Sequence, residues 1–277
     1  MSMTTVLDGL TFPEGPRWHG GRLWFSDFYS ERVLALGKSG AETIVRVPGR
    51  PSGLGWARDG SLLVVSMLER SLMRHADGML SRVADLSAFA TGPCNDMVVD
   101  GQGRAWVGNF GFDRHQGEAE RATCLVRVDA DGSARAVADD LLFPNGTVIT
   151  PEGTLIVAET FARRLTAFRM TDDGSLADRR VFAQFDDVYP DGICLDQEGA
   201  VWVADPRGKQ VLRVFNGGCV TDSFDLTPRG AYACMLGGDD RRTLYVCTNT
   251  GSGPDFARKT DGRIETLRVD VPGAGLP

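Results

Sequence analysis

Phe143-Pro144-Asn145-Gly146-Thr147-Val148-Ile149-Thr150-Pro151-Glu152-Gly153-Thr154-Leu155-Ile156-Val157 is the stretch whose pattern decides the fold. A small polar residue stands between Pro and Gly, a short apolar strand follows, a Glu-Gly turn interrupts it, and a second Leu/Ile/Val strand resumes. The unit recurs from Pro13-Glu14-Gly15 to Leu23-Trp24-Phe25, from Pro51-Ser52-Gly53 to Leu62-Leu63-Val64, from Cys94-Asn95-Asp96 to Ala105-Trp106-Val107, and from Pro190-Asp191-Gly192 to Val201-Trp202-Val203. A sixth, weaker copy runs from Tyr232 to Leu244-Tyr245-Val246, with Gly237-Gly238-Asp239-Asp240 in its turn. The openings lie 38 to 50 residues apart, the length of a four-stranded propeller blade, and the repeats lack the amphipathic helices of a solenoid.

Closure is also written in the chain. Val6-Leu7-Asp8-Gly9-Leu10-Thr11-Phe12-Pro13-Glu14-Gly15 aligns without gaps on Val137-Ala138-Asp139-Asp140-Leu141-Leu142-Phe143-Pro144-Asn145-Gly146, a segment that ends one blade and begins the next. The chain therefore starts with the last strand of a blade. The expected fold is all-β, a six-bladed β-propeller whose N-terminal strand completes the last blade and so removes the exposed edges of an open array. Residues 1–277 are expected to form that one domain, without linkers.

Composition supports this reading. The 34 Gly and 13 Pro punctuate many short strands, and 42% hydrophobic residues suffice for a large core. A net charge of -7 opposes a phosphate-binding role, so no nucleic-acid partner is expected. Neither a leader-like N-terminus nor a membrane-spanning apolar run is present, which makes the cytoplasm the expected location and a membrane no partner. The six cysteines are dispersed without a C-x-x-C pair and are expected to be buried, reduced thiols. His19, His75 and His115 lack zincin spacing and read as surface or turn residues, while Thr250-Gly251-Ser252-Gly253 reads as an ordinary loop. Glu159 and Asp205 either point to the channel or pair with Arg163 and Arg207. The longest repeat contains Asp113-Arg114-His115-Gln116-Gly117-Glu118-Ala119-Glu120-Arg121, an inserted loop placed to overhang a site at this mouth.

In a propeller the innermost strands line the channel, so their opening residues form a ring: Glu14, Ser52, Asn95, Asn145, Asp191 and Tyr232. Asn and Asp also suit turns, where they bond local backbone N–H groups. Glu14 is a weak turn former, however, and the shared phase across blades favours a common centre. Two carboxylates and two carboxamides match a hard cation such as Ca²⁺, which takes six to eight oxygens. Ser52 and Tyr232 read equally as ring filler or substrate contacts.

Across nearly its full length the chain resembles the family of senescence marker protein (regucalcin), gluconolactonase and luciferin-regenerating enzyme. The resemblance rests on Pro13-Glu14-Gly15-Pro16-Arg17-Trp18, Asn95-Asp96 with Val99-Asp100-Gly101-Gln102-Gly103-Arg104, Phe143-Pro144-Asn145-Gly146 and Tyr189-Pro190-Asp191-Gly192. It implies one divalent metal held by Glu14, Asn145 and Asp191, with Asn95 contacting substrate or a metal-bound water. Ca²⁺ is favoured, and Mg²⁺, Mn²⁺, Zn²⁺ or Fe²⁺ can use the same oxygens. It also implies lactone hydrolysis, the cation polarising the carbonyl while Asp191 helps deprotonate the attacking water. Pro93 stands where sugar-lactone members often carry Arg, which opens the substrate to other lactones and esters, phosphotriesters included. Phe110, Phe112, Arg114 and His115 are placed to set that choice. A non-catalytic propeller with a structural metal, and a metal-free lyase of the same architecture, are the competing readings. The sequence is silent on oligomeric state.

Overall fold

The computed structural model describes residues 3–277, with the His115 and Pro254 side chains outside the described set. Six antiparallel sheets follow one another around a central channel. Their inner strands are Pro13–His19, Pro51–Trp56, Cys94–Val99, Pro144–Ile149, Ile193–Asp196 and Gly230–Gly237. Cys94–Val99 and Pro144–Ile149 are buried at every residue, as strands packed on both faces must be, whereas the outer strand Gly40–Arg46 is mostly exposed. Apolar side chains fill the spaces between neighbouring blades, with Trp106 and Trp202 among the largest fully buried groups. Closure is as the sequence predicts: Thr4–Leu10 pairs antiparallel with Gly262–Arg268 and completes the sixth blade. Among the described residues no helix is long and apolar enough to cross a membrane.

The repeated Asp/Gly turn has a local cause. Gly60, Gly103, Gly153 and Gly199 adopt φ between 78° and 82°, a conformation that other residues resist. Each donates its N–H to the carbonyl three residues earlier, on Ala57, Asp100, Thr150 and Asp196, at 2.9–3.1 Å. A tight turn followed by a left-handed glycine returns the chain directly into the second strand.

Inner strands touch backbone to backbone at the ring. Gly146 donates to the Asp191 carbonyl (3.2 Å) and Gly192 to the Tyr232 carbonyl (2.8 Å). A Cβ on Gly146 would lie 2.5 Å from the Ile193 nitrogen, and one on Gly192 would lie 2.4 Å from the Ala233 Cβ. Glycine after the ring residue is thus a requirement of close approach. The third blade carries Asp96 there instead, and its carboxylate takes the Arg17 guanidinium at 2.5 Å. Arg17 also donates to the carbonyls of Leu54 (3.0 Å) and Met97 (2.5 Å), tying three inner strands together beneath the ring.

Three expectations are corrected. In the sixth blade the ladder pairs Gly230 with Asn249 and Ala231 with Thr248 before it shifts, as the first blade pairs Pro13 with Asp27 and Glu14 with Ser26, and Gly230 pairs with the second-strand end as Pro144 does with Glu159. Ala231, not Tyr232, therefore occupies the position equivalent to Asn145. Cys219 is exposed while the other five cysteines are buried, because it follows a surface turn instead of facing a neighbouring blade. The fifth sheet has a fifth strand, Gly273–Ala274, on the channel edge of Ile193–Asp196. With Leu276 bridging Ile149, this tail covers the strand ends remote from Asn145 and Asp191.

The close approach is testable by substitution. Gly192→Ala is expected to destabilise the protein by about 1–3 kcal/mol through overpacking. Gly101→Ala, whose Cβ meets nothing within 4 Å, is expected to stay within about 0.5 kcal/mol of the parent in the same urea titration.

Candidate functional site

The site is built by three positions of each repeat. The first is the residue ending the second strand: Asp27, Ser66, Asn109, Glu159, Asp205 and Asn249 are all polar and all 0% exposed. Most of them hold the segment that leads into an inner strand. Asp27 Oδ1 accepts the N–H groups of Thr11 (2.9 Å) and Phe12 (2.7 Å), Glu159 Oε2 that of Leu142 (2.9 Å), and Asp205 Oδ1 that of Tyr189 (3.2 Å). Ser66 Oγ donates to the Pro48 carbonyl (2.6 Å) and Asn249 Nδ2 to that of Thr11 (2.8 Å). Asn109 bonds within its own blade, to Cys124 and Gly111. Glu159 and Asp205 are thus structural, with a correction to their partners. Glu159 takes Arg164 (2.7 Å) and Thr166 (2.5 Å), not Arg163, because Arg164 opens the adjacent strand. Asp205 takes Gly208 and Gln210, while Arg207 turns away to stack on Tyr189.

The second position is the ring. Glu14, Asn95, Asn145 and Asp191 all line one cavity of about 430 Å³, with Tyr232 beside them. Ser52 does not; it is buried, and its carbonyl accepts the Ser26 hydroxyl at 2.6 Å. A bulge in the inner-strand ladder spans the residues just after Glu14 and falls at Asn95 and Asn145, which re-aims these side chains from the sheet face toward the channel. Asn145 Nδ2 donates to Asp191 Oδ1 and to Thr160 Oγ1 (3.3 Å), and Thr160 in turn donates to the Pro190 carbonyl (2.7 Å). Its NH₂ thus committed, Asn145 keeps its Oδ1 carbonyl for a ligand. Asn95 makes only a long bond, 3.4 Å to the Pro144 carbonyl.

Charge is concentrated and unbalanced here. Burial pushes the Glu14 carboxyl well above the usual carboxylate range, and the Asp191 charge raises it further, while the Gly15 N–H and Arg17 act in the opposite sense. Asp191 is pushed up to about 8, chiefly by burial, against the hydrogen bond from Asn145. Among the described residues no Lys, Arg or His pairs with either carboxylate, since Arg17 is committed to Asp96. No group of three His, Cys, Asp or Glu side chains comes together among those residues, so a nitrogen- or sulfur-rich metal cage is not what the site offers. Two buried carboxylates and carboxamide oxygens, with Arg17 and Arg114 acting on the carboxylates only from a distance, fit a hard divalent cation. Tyr232 completes the floor: burial raises its phenol, which stays protonated as a donor.

The third tier is the wall, and the sequence reading missed most of it. The residue two positions before each of five ring residues faces the cavity: Phe12, Arg50, Pro93, Phe143 and Tyr189. The residues following each second-strand end do so as well, including Tyr29, Met67, Phe161 and Arg207. The signal was available, because these positions hold fixed offsets from the ring in each repeat. Ser252 and Gly253 also line the cavity, which corrects the reading of that loop as ordinary. The inserted segment contributes Asp113, Arg114 and Gln116 to the mouth, as its position in the repeat suggests. Phe110 lines the cavity and stacks on Phe143 at 4.2 Å, whereas Phe112 is buried behind them, and the His115 side chain lies outside the described residues.

Comparison with known proteins places this geometry. The chain is 28% identical to the 6-deoxy-6-sulfogluconolactonase of Pseudomonas putida over 92% of its own length and 89% of that protein. It is likewise 28% identical to a pentonolactonase of Haloferax volcanii, covering 100% of this chain and 97% of that one. Among solved structures, a luciferin-regenerating enzyme superposes with a TM-score of 0.85 at 20% identity, covering 99% of this chain and 98% of the other. A gluconolactonase from Xanthomonas campestris gives a TM-score of 0.75 at 26% identity, covering 98% and 89%. Residues 12–250 match the model of the SMP-30/Gluconolactonase/LRE-like region, and the chain belongs to that family.

Proposed function

We propose that this protein is a metal-dependent lactonase, hydrolysing a small lactone at the floor of the propeller cavity. The observation that carries the reading is the pair of buried carboxylates, Glu14 and Asp191, which have no ion-pair partner among the described residues and line the cavity at the ring mouth. Family membership and relatives named as lactonases support the reaction class.

Glu14, Asn145 and Asp191 would hold the cation, and their oxygen-only donor set favours Ca²⁺. When bound, the cation supplies a Lewis acid for the lactone carbonyl and offsets the oxyanion charge of the tetrahedral state. Asn95, with only a weak bond of its own, is free to orient the substrate or the attacking water. Asp191 Oδ1 is fixed by Asn145, which leaves Oδ2 to take the proton of the water as its oxygen bonds to the carbonyl carbon. The ring C–O bond then breaks, the alkoxide takes that proton back, and the hydroxy acid leaves; its ionisation releases one proton. No protein nucleophile takes part. The aromatic wall limits water at the floor and so strengthens each of these electrostatic contacts.

Acid release from a panel of sugar, aliphatic and aromatic lactones, followed by pH-stat, tests this directly. Glu14→Gln, Asp191→Asn and chelation are each expected to lower turnover by about 10²-fold or more. Undiminished activity in metal-depleted protein would overturn the reading.

Stability should move the opposite way from activity. In chelator, Glu14→Gln removes a buried carboxyl that is costly to ionise beside Asp191 and is expected to melt a few degrees above the parent, at about 2–4 °C per kcal/mol. Added Ca²⁺ should then stabilise the parent, by about 2.7 kcal/mol at a hundred times its Kd, and leave the variant unmoved.

The pH dependence of the chelated parent has a definite sign. A carboxyl raised to about 8 in the native state binds its proton more tightly there than in the unfolded chain. The associated stability is fully present below the ordinary carboxylate range and is lost as pH rises through about 8. Melting temperature in chelator should therefore fall between pH ~5 and ~9, and less steeply in Asp191→Asn.

A further inference from the structure

Three guanidinium groups face the cavity, and none has a carboxylate partner among the described residues. Arg50 takes φ 66° in the segment leading into the second inner strand, an uncommon conformation for a residue with a side chain. Its guanidinium lies 5.1 Å from the Tyr29 ring centre and lines the cavity. Arg207 lies flat on Tyr189, 3.9 Å from its ring centre, which leaves its N–H edge available. Arg114 reaches the mouth from the inserted segment. The whole chain carries a net charge of -7, so three unpaired arginines at one opening run against the protein's overall sign.

Between these charges and the carboxylate floor much of the wall is aromatic, with Gln116 and Ser252 among its polar members. Phe12 packs edge-on against Tyr232 at 4.6 Å on one side, and Phe143 against Phe161 at 4.9 Å on the other. The Thr160 hydroxyl is committed to the Pro190 carbonyl, and the Tyr29 oxygen accepts the Gly253 N–H at 3.0 Å. Against the aromatic faces a polyhydroxylated lactone would bury hydroxyls without partners, at a cost for each. Guanidinium groups, by contrast, suit a planar anion through paired N–H bonds.

We propose that the substrate is an apolar, ring-bearing lactone carrying a carboxylate remote from its ester bond, held between the aromatic walls with the carboxylate directed to the mouth lined by Arg50, Arg114 and Arg207. This rests on the lactone-hydrolysis reading of the same site and adds the substrate class.

The test uses Ca²⁺-loaded protein with three lactones: carboxyphthalide, its neutral carboxamide carbamoylphthalide, and gluconolactone. kcat/KM for the carboxylate is expected to exceed that for the carboxamide by about tenfold or more, and the advantage should shrink as salt is raised. In Arg50→Gln and Arg207→Gln the acid-to-amide ratio should fall toward one, chiefly through KM. Equal rates for acid and amide, a ratio that neither variant changes, or preference for gluconolactone would overturn the proposal.

Binding of the corresponding lactams, carboxyisoindolinone and its carboxamide, is read by calorimetry and needs no hydrolysis. Tighter binding of the acid lactam, lost in the arginine variants, supports the substrate class even where no lactone is turned over, in which case only the reaction reading falls. Equal affinity for the two lactams, or no binding of either, overturns the substrate class itself.

Discussion

The hydrogen bond from the Leu142 N–H to Glu159 Oε2, with its counterparts at Asp27, Ser66 and Asp205, is the contact on which the site depends. Each joins a fully buried side chain at the end of a second strand to the segment that enters the inner strand beside it. That segment runs between blades, where a backbone donor has no ladder to join, and leaving it unpaired in the interior would cost about 1–3 kcal/mol. Pairing it removes the cost and fixes the entry point of the inner strand. The ring side chain follows two to four residues later, so a contact made for backbone satisfaction also sets where Glu14, Asn145 and Asp191 stand.

Glycine acts on the other side of the ring residue. Gly146 and Gly192 let the next inner strand bond directly to their backbone, which draws successive blades together until the channel is narrow. Where the repeat carries Asp96 in place of glycine, the extra side chain is absorbed by Arg17. The ion pair is nearly fully buried and further bonded to the Leu54 and Met97 carbonyls. Removing one member would leave the other charge uncompensated, a loss of about 3–5 kcal/mol. The floor of the cavity therefore rests on a layer of fixed dipoles and charges that does not rearrange easily.

These rules explain what could be read from the sequence. Pro-Xaa-Gly before an apolar strand encodes a crossover, a ring residue and a close approach together, so its recurrence revealed blade number, closure and the four polar ring positions. The sixth blade lacks the motif, and there the reading slipped by one residue, to Tyr232 from Ala231. The partners of Glu159 were misassigned because the neighbouring strand brings Arg164, not the adjacent Arg163, alongside it. Wall residues were missed because their types vary: Phe12, Arg50, Pro93, Phe143 and Tyr189 share a position in the repeat but no chemistry. The channel-edge strand Gly273–Ala274 had no repeat to announce it.

Closure and charge meet in one segment of the chain. Glu14 meets Asp191 from a distant part of the sequence, and where both are ionised their repulsion acts to push the first and fifth blades apart. Resistance comes from the strand just before Glu14. Thr4–Leu10 is paired along Gly262–Arg268, and Thr11, three residues ahead of Glu14, is held from both sides, its N–H by Asp27 and its carbonyl by Asn249. An open array would relieve the repulsion by splaying at that seam, and a closed one cannot without breaking the pairing of a whole strand. The like charges are tolerated because relaxing them would require unzipping the N-terminal strand from the sixth blade, and it is this tolerance that keeps a strongly electronegative centre intact for a cation to occupy.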